Sequence, residues 1–229
     1  MPAMRMTHTP VLALLIIATL VIPACKTTYY ATMEKLGYHK RDLLVKEVEQ
    51  ARNEQEEAKE HFQSALEEFM SVVEVDGGDL EVQYNKLRRE LERCEDDATT
   101  VRERIKSIER VADALFDEWD EELGQYNSPD LRRASEKQFN QTKDRYEKLV
   151  GAMKQAESKM DPVLSAFGDQ VLFLKHNLNA RAIAALQGAV VSLEGDVAKL
   201  VAEMQASIDE ANAFIATMEA EEVAPPPAE

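Results

Sequence analysis

The chain has 229 residues, 31% of them charged and only 6% aromatic, with a formal net charge of −16 at pH 7. Such acidity repels phosphate backbones and argues against nucleic acid as a partner. With only two cysteines a disulfide-stapled scaffold is excluded too, and a composition led by Glu, Lys, Ala, Leu and Gln favours long helices.

The N-terminus comes first in chain order and says most about location. Arg5 precedes an apolar run from Val11 to Ile22 that only Thr19 interrupts. This is the n-region and h-region of a secretory signal, and at about a dozen residues it falls short of the roughly 20 a spanning helix needs. The run ends in Ile22-Pro23-Ala24-Cys25. That ending resembles the bacterial lipoprotein signal, with an aliphatic residue three before a cysteine and a small residue directly before it. The resemblance implies a signal peptide over 1–24 and a Cys25 that becomes the first mature residue, bearing diacylglycerol on sulfur and an acyl group on its amine. Lys26 follows, where an aspartate would favour retention at the inner membrane, so the expected location is the outer membrane, facing the periplasm.

From about residue 30 to 220 the apolar positions follow alternating steps of three and four. The first seam is Leu44, Val48, Ala51, Gln55, Ala58, Phe62, Ala65, Phe69 and Val72, with Gln55 its one polar member. An a/d pattern held for about four heptads argues for a coiled-coil helix. Gly77 and Gly78, between Asp76 and Asp79, stop it, and Asp79 suits the N-cap of the next helix. The second seam runs from Leu80 through Leu87, Cys94, Val101, Ile105 and Ile108 to Trp119. Ser128-Pro129 then reads as an N-cap followed by proline at the first helical position.

The third seam runs from Phe139 through Leu149, Met153, Met160 and Phe167 to Leu178, with Pro162 predicting a kink. Asn177 and Asn179 predict a third tight turn, Asn177 in the left-handed conformation. A fourth seam runs from Ile183 to Met218, with a stutter after Met204. The stretch 221–229 is acidic and contains Pro225-Pro226-Pro227, a composition that predicts a disordered tail. The expected fold is therefore all-α: a 25–220 domain of four long antiparallel coiled-coil helices, each about 60 to 70 Å long at 1.5 Å per residue, forming either an up-down-up-down elongated bundle or stacked hairpins.

Catalytic and cofactor motifs are missing from the sequence. No G-x-x-x-x-G-K-[ST] offers a nucleotide phosphate site, and no Glu-x-x-His suits a di-iron bundle, because Leu36, Ala58 and Phe173 stand three before His39, His61 and His176. HExxH, CxxC and GxSxG are also lacking. The acidic run Asp117, Glu118, Asp120, Glu121 and Glu122 reads as a solvated face or a partner for Arg132 and Arg133, since carboxylates without a shaped loop bind calcium poorly. Cys94, on a seam, reads as a buried and inert thiol. Trp119 and Phe116 read as core and flank and not as a ligand box. No catalytic residue, metal or cofactor is expected, and the chain is read as a non-enzyme.

Four stretches carry a family likeness: Lys35-Leu36-Gly37-Tyr38-His39-Lys40-Arg41-Asp42, Val75-Asp76-Gly77-Gly78-Asp79-Leu80, Ala114-Leu115-Phe116-Asp117-Glu118-Trp119, and 172–180. They resemble an uncharacterised family of proteobacterial lipoproteins, a domain of unknown function, over about 29 to 219. The resemblance implies a helical envelope protein and brings no catalytic residues. The expected function is a lipid-anchored periplasmic coiled-coil spacer or scaffold; a regulatory or adaptor lipoprotein acting on an envelope enzyme or transporter is the alternative. The expected partners are membrane lipid through Cys25 and an envelope protein or a second copy, met at a tip formed by Asp76, Gly77, Gly78, Asp79, Lys175, His176, Asn177, Asn179 and Arg181.

Overall fold

A computed structural model of the chain describes residues 39–74, 80–177 and 180–223. They form α1 (Lys40–Glu74), α2 (Leu80–Leu123), α3 (Pro129–His176), α4 (Ala180–Gln187) and α5 (Val190–Val223). Among the described residues there is no strand. The chain divides into compact units at Met1–Lys40 and Arg41–Glu229. Of the first unit only His39, which is exposed, and half-buried Lys40 are described; the architecture below is that of the second.

Four long helices stand at the corners of one bundle. Along one side Lys154 of α3 pairs with Glu109 of α2, and Arg102 of α2 with Glu157 of α3. Next round, Arg145 of α3 reaches Glu221 of α5. From α5 to α1, Arg52 meets Asn212 and Lys59 meets Gln205. The ring closes from α1 to α2 through His61 with Asp97 and Arg104 with Glu54. Across the α2–α3, α1–α5 and α1–α2 contacts residue numbers rise on one helix as they fall on the other, which makes α3 and α5 antiparallel as well. The ring decides for a single bundle over separate hairpins. Across its diagonal, Phe69 of α1 meets Phe167 of α3 edge to face, with centroids 6.3 Å apart.

The seams fill this interior. All nine members of the first seam are buried, as are Leu87, Cys94, Ala98, Val101, Ile105 and Ile108 of α2. Burying one face per helix is what converts a sequence of modest intrinsic helicity into helices of 34 to 48 residues. Ser128 caps α3, its hydroxyl accepting from the Leu131 N–H, with Pro129 opening the helix. The helix then runs through Pro162 to His176, the exposed proline replacing an N–H on the solvent side.

Three expectations are corrected. The fourth helix is two, because the chain tightens at Gly188 and Ala189. Their N–H groups donate to Ala185 and Leu186, three residues back, at 3.2 and 2.9 Å. A Cβ on Gly188 would lie 3.3 Å from the Ala185 carbonyl, so glycine eases this tightening. Beyond the break the seam resumes at Leu193, and Val191 is 78% exposed. Asn177 is not left-handed but has φ −133° and ψ 57°. Its N–H donates to Leu174 and its side-chain Nδ2 to the Phe173 carbonyl, so the amide group satisfies the end of α3 without a reversal of φ. Finally, α5 continues to Val223, past the expected start of a loose tail at 221.

Gln55, the polar member of the first seam, is fully buried and faces Ser207 of α5, whose hydroxyl donates to Oε1 at 2.8 Å. The Nε2 group of Gln55 has no partner. Removing the hydroxyl with Ser207→Ala strands both ends of the amide and should cost about 1–3 kcal/mol. Adding Gln55→Leu should recover that loss or exceed it, because an apolar pair leaves nothing unsatisfied. Urea unfolding of the single and double variants measures both effects, and a double variant less stable than Ser207→Ala would contradict the assignment.

Candidate functional site

The antiparallel ring gathers the chain's features at two ends. At the tip lie the end of α1, the start of α2, the end of α3, all of α4 and the start of α5. Gln187 Nε2 of α4 donates to the Val73 carbonyl of α1 at 3.5 Å. Exposed Lys175 and His176 form the last turn of α3, where positive charge suits the helix dipole, and half-buried Asn177 caps it. Asp76, Gly77, Gly78, Asp79 and Asn179 lie outside the described residues, as does Cys25, and for Arg181 only the backbone is described. Of the expected tip residues, the structure thus places Lys175, His176 and Asn177 on one turn.

The sequence reading missed the apolar surface beside them. Leu172 is 55% and Phe173 38% exposed, and Val82 and Val191 at the same end are exposed too. The signal was present: Leu172 and Phe173 sit between the seam residues Val171 and Leu174, so a helix that buries those two must turn them outward.

At the opposite end, the base, α1, α3 and α5 meet at one carboxylate. Glu221 Oε2 accepts from Arg41 Nη2 at 2.8 Å and from Gln138 Nε2 at 3.4 Å; Oε1 accepts from Arg145 Nη1 at 2.6 Å. Arg41 Nη2 also donates to the Met218 carbonyl at 3.2 Å. Partial burial pushes the Glu221 carboxyl upward, but the hydrogen bonds from Arg145, Gln138 and Arg41 outweigh it and hold the group below its ordinary value of 4.5.

Between α2 and α3 at this end lies an aromatic cluster. Phe116 packs on Phe139 and Tyr146, Trp119 packs edge-on to Phe139, and the Trp119 Nε1–H donates to Ser135 Oγ at 2.9 Å. Phe116 is buried, and Trp119, Phe139 and Tyr146 are half-buried at the flank of the α2–α3 contact. Burial, aided by Glu109, Asp113 and Glu147, pushes the Tyr146 phenol up to about 12. Arg133 pairs with Asp130 in the first turn of its own helix.

Midway along the bundle, His61 Nδ1 lies 2.7 Å from Asp97 Oδ2, and Cys94 sits one turn before Asp97 on α2. The residue types are those of a cysteine nucleophile with its base and orienting acid.

Residues 29–218 match the model of DUF2959, a protein family of unknown function. The chain belongs to the DUF2959 family. Neither a curated protein nor a solved structure matches it.

In this DUF2959 member the Cys94, Asp97 and His61 set is arranged against nucleophilic chemistry. Cys94 is fully buried, and burial first, then the charges of Asp97 and Glu90, push its thiol up to about 12. A nucleophilic thiol needs the reverse, an electropositive and accessible setting. Among the described residues no three His, Cys, Asp or Glu side chains gather as a metal cluster, and no helix is long and apolar enough to cross a membrane. Alkylation read at the Cys94 peptide tests the thiol. At pH 8 the folded chain should label about a thousandfold more slowly than the urea-unfolded chain, the factor set by the thiolate fraction; comparable rates would show that Cys94 is accessible and ionised.

Proposed function

We propose that this chain is a lipid-anchored spacer or scaffold of the outer membrane, facing the periplasm, without catalytic activity of its own. The signal spans 1–24 and acyl groups on Cys25 hold the protein. The observation that carries the reading is the bundle itself: four antiparallel helices, the longest about 70 Å by helix geometry, with seams buried from Leu44 to Val72 and from Leu149 to Leu174. A rod of this kind sets a distance; what it would hold at that distance is presented by its ends. The N-terminal signal supports the anchor.

Cys25→Ala should abolish incorporation of radiolabelled palmitate and shift the protein out of the membrane fraction. Unchanged fractionation of the variant, with the wild type also unlabelled, would overturn the anchor.

A second reading, an adaptor that acts on an envelope enzyme or transporter, is favoured by the exposed Leu172 and Phe173 beside Lys175 and His176. Apolar side chains ringed by charge are a common make-up of protein contact sites. Replacing Lys175, His176 and Arg181 together with alanine should remove specific adducts on cross-linking in intact cells. If the adducts match those of the unmodified protein, the tip is only a turn and the spacer reading stands alone.

A further inference from the structure

Two residues at the base stand against their helix dipoles. Arg41 lies in the first turn of α1, where positive charge is disfavoured, and Glu221 lies near the end of α5, where negative charge is. Antiparallel packing sets those two ends side by side, and each residue is the other's remedy: they pair at 2.8 Å, and Arg41 also binds the Met218 carbonyl of α5. Arg145, from the middle part of α3, takes the second carboxylate oxygen. The same end holds polar groups that nothing satisfies. Arg41 Nε and the buried Thr142 hydroxyl have no hydrogen-bond partner, and Thr142 shares a helix face with Gln138 and Arg145. One carboxylate thus links α1, α3 and α5 at this end, beside the buried Leu44, Ile215 and Met218.

We propose that Glu221 is an acid-released clasp: ionised, it holds the last turns of α5 onto α1 and α3, and its protonation lets those turns separate and uncovers Met218, Ile215 and Leu44. With the carboxylate discharged, the guanidiniums of Arg41 and Arg145 face each other across three helices with no anion between them. The surrounding groups leave that charge in place. On the α1 side Arg41, Asp42, Lys46 and Glu49 line a groove with Met218 and Glu219 of α5. On the α3 side Arg145 and Lys148 line another with Glu210, Phe214 and Thr217 of α5. The two grooves thus set two arginines and two lysines against the carboxylates around the clasp. The direction follows from the lowered carboxyl of Glu221: its hold is complete above the ordinary value of 4.5 and is lost as pH falls below that through the folded-state value. The clasp does not depend on the lipid anchor.

Methionine oxidation reads the release directly, because the thioether has no proton to lose and its rate follows exposure. Met218 is buried at the clasp, and Met153, Met160 and Met204 are fully buried elsewhere in the bundle as internal references. The full chain in detergent is treated with dilute hydrogen peroxide at pH 7 and at about pH 3.5, and oxidation is read peptide by peptide. Met218 should oxidise at least about tenfold faster in acid while the three references change little, as expected of local opening. Glu221→Gln, which carries the discharged group at every pH, should show the fast Met218 rate already at pH 7. Equal Met218 rates at the two pH values, a common acceleration of all four methionines, or a Glu221→Gln variant that behaves as the wild type would each overturn the clasp.

Discussion

Each helix of this bundle carries one apolar stripe that it cannot cover alone, and covering those stripes mutually is the constraint from which the rest follows. A fully buried Phe or Leu side chain contributes about 1.5–3 kcal/mol through removal from water. Phe62, Phe69, Leu44, Leu149, Leu174, Leu186 and Leu200 are all completely enclosed. The ion pairs between helices sit at the rim, most with side chains a fifth to a third exposed, and pairs of that kind contribute about 0.2–1 kcal/mol each. Apolar burial therefore sets the stability, and the ion pairs select which helix lies beside which.

That division of labour explains the small number of polar intrusions. Gln55 with Ser207 places a single hydrogen bond in the middle of the α1–α5 contact. A lone buried polar pair of this kind penalises any register that separates its members, because the amide is then stranded in an apolar interior. The base uses polar contacts differently. There Arg41, Arg145 and Glu221 join three helices beside the buried Leu44 and Met218, with unsatisfied atoms next to them. The middle is specified by packing and one hydrogen bond; the base adds a charged contact among three helices to its apolar burial.

The chemistry of the midpoint follows from the same burial. Cys94, Asp97 and His61 are neighbours because α1 and α2 cross at that level, and the seam position that encloses Cys94 also keeps its thiol protonated. Burial that serves packing works against nucleophilicity of the Cys94 thiol here. The bundle's ends, in contrast, expose what the seams cannot accommodate, with Leu172 and Phe173 turned outward at the tip and Tyr126 and Leu131 near the base.

The seams were legible in the sequence because helical periodicity is local: Leu44 to Val72 and Leu149 to Leu174 can be read from spacing alone, and so can the cap at Ser128-Pro129. Antiparallel order was legible too, since short connections leave neighbouring helices little choice. What only the tertiary structure decided involves partners far apart in sequence. Gln55 finds its hydroxyl 152 residues away, and nothing near Gln55 announces it. The tightening at Gly188 depends on carbonyl geometry, and a lone glycine in a helical pattern does not reveal it. Glu221 read as the start of a loose acidic tail because its neighbours are acidic and prolines follow. It is ordered by Arg41 and Arg145, 180 and 76 residues distant. Spacing along one chain determines which face of a helix is buried, whereas the counter-charge a side chain meets is set by which helices pack together.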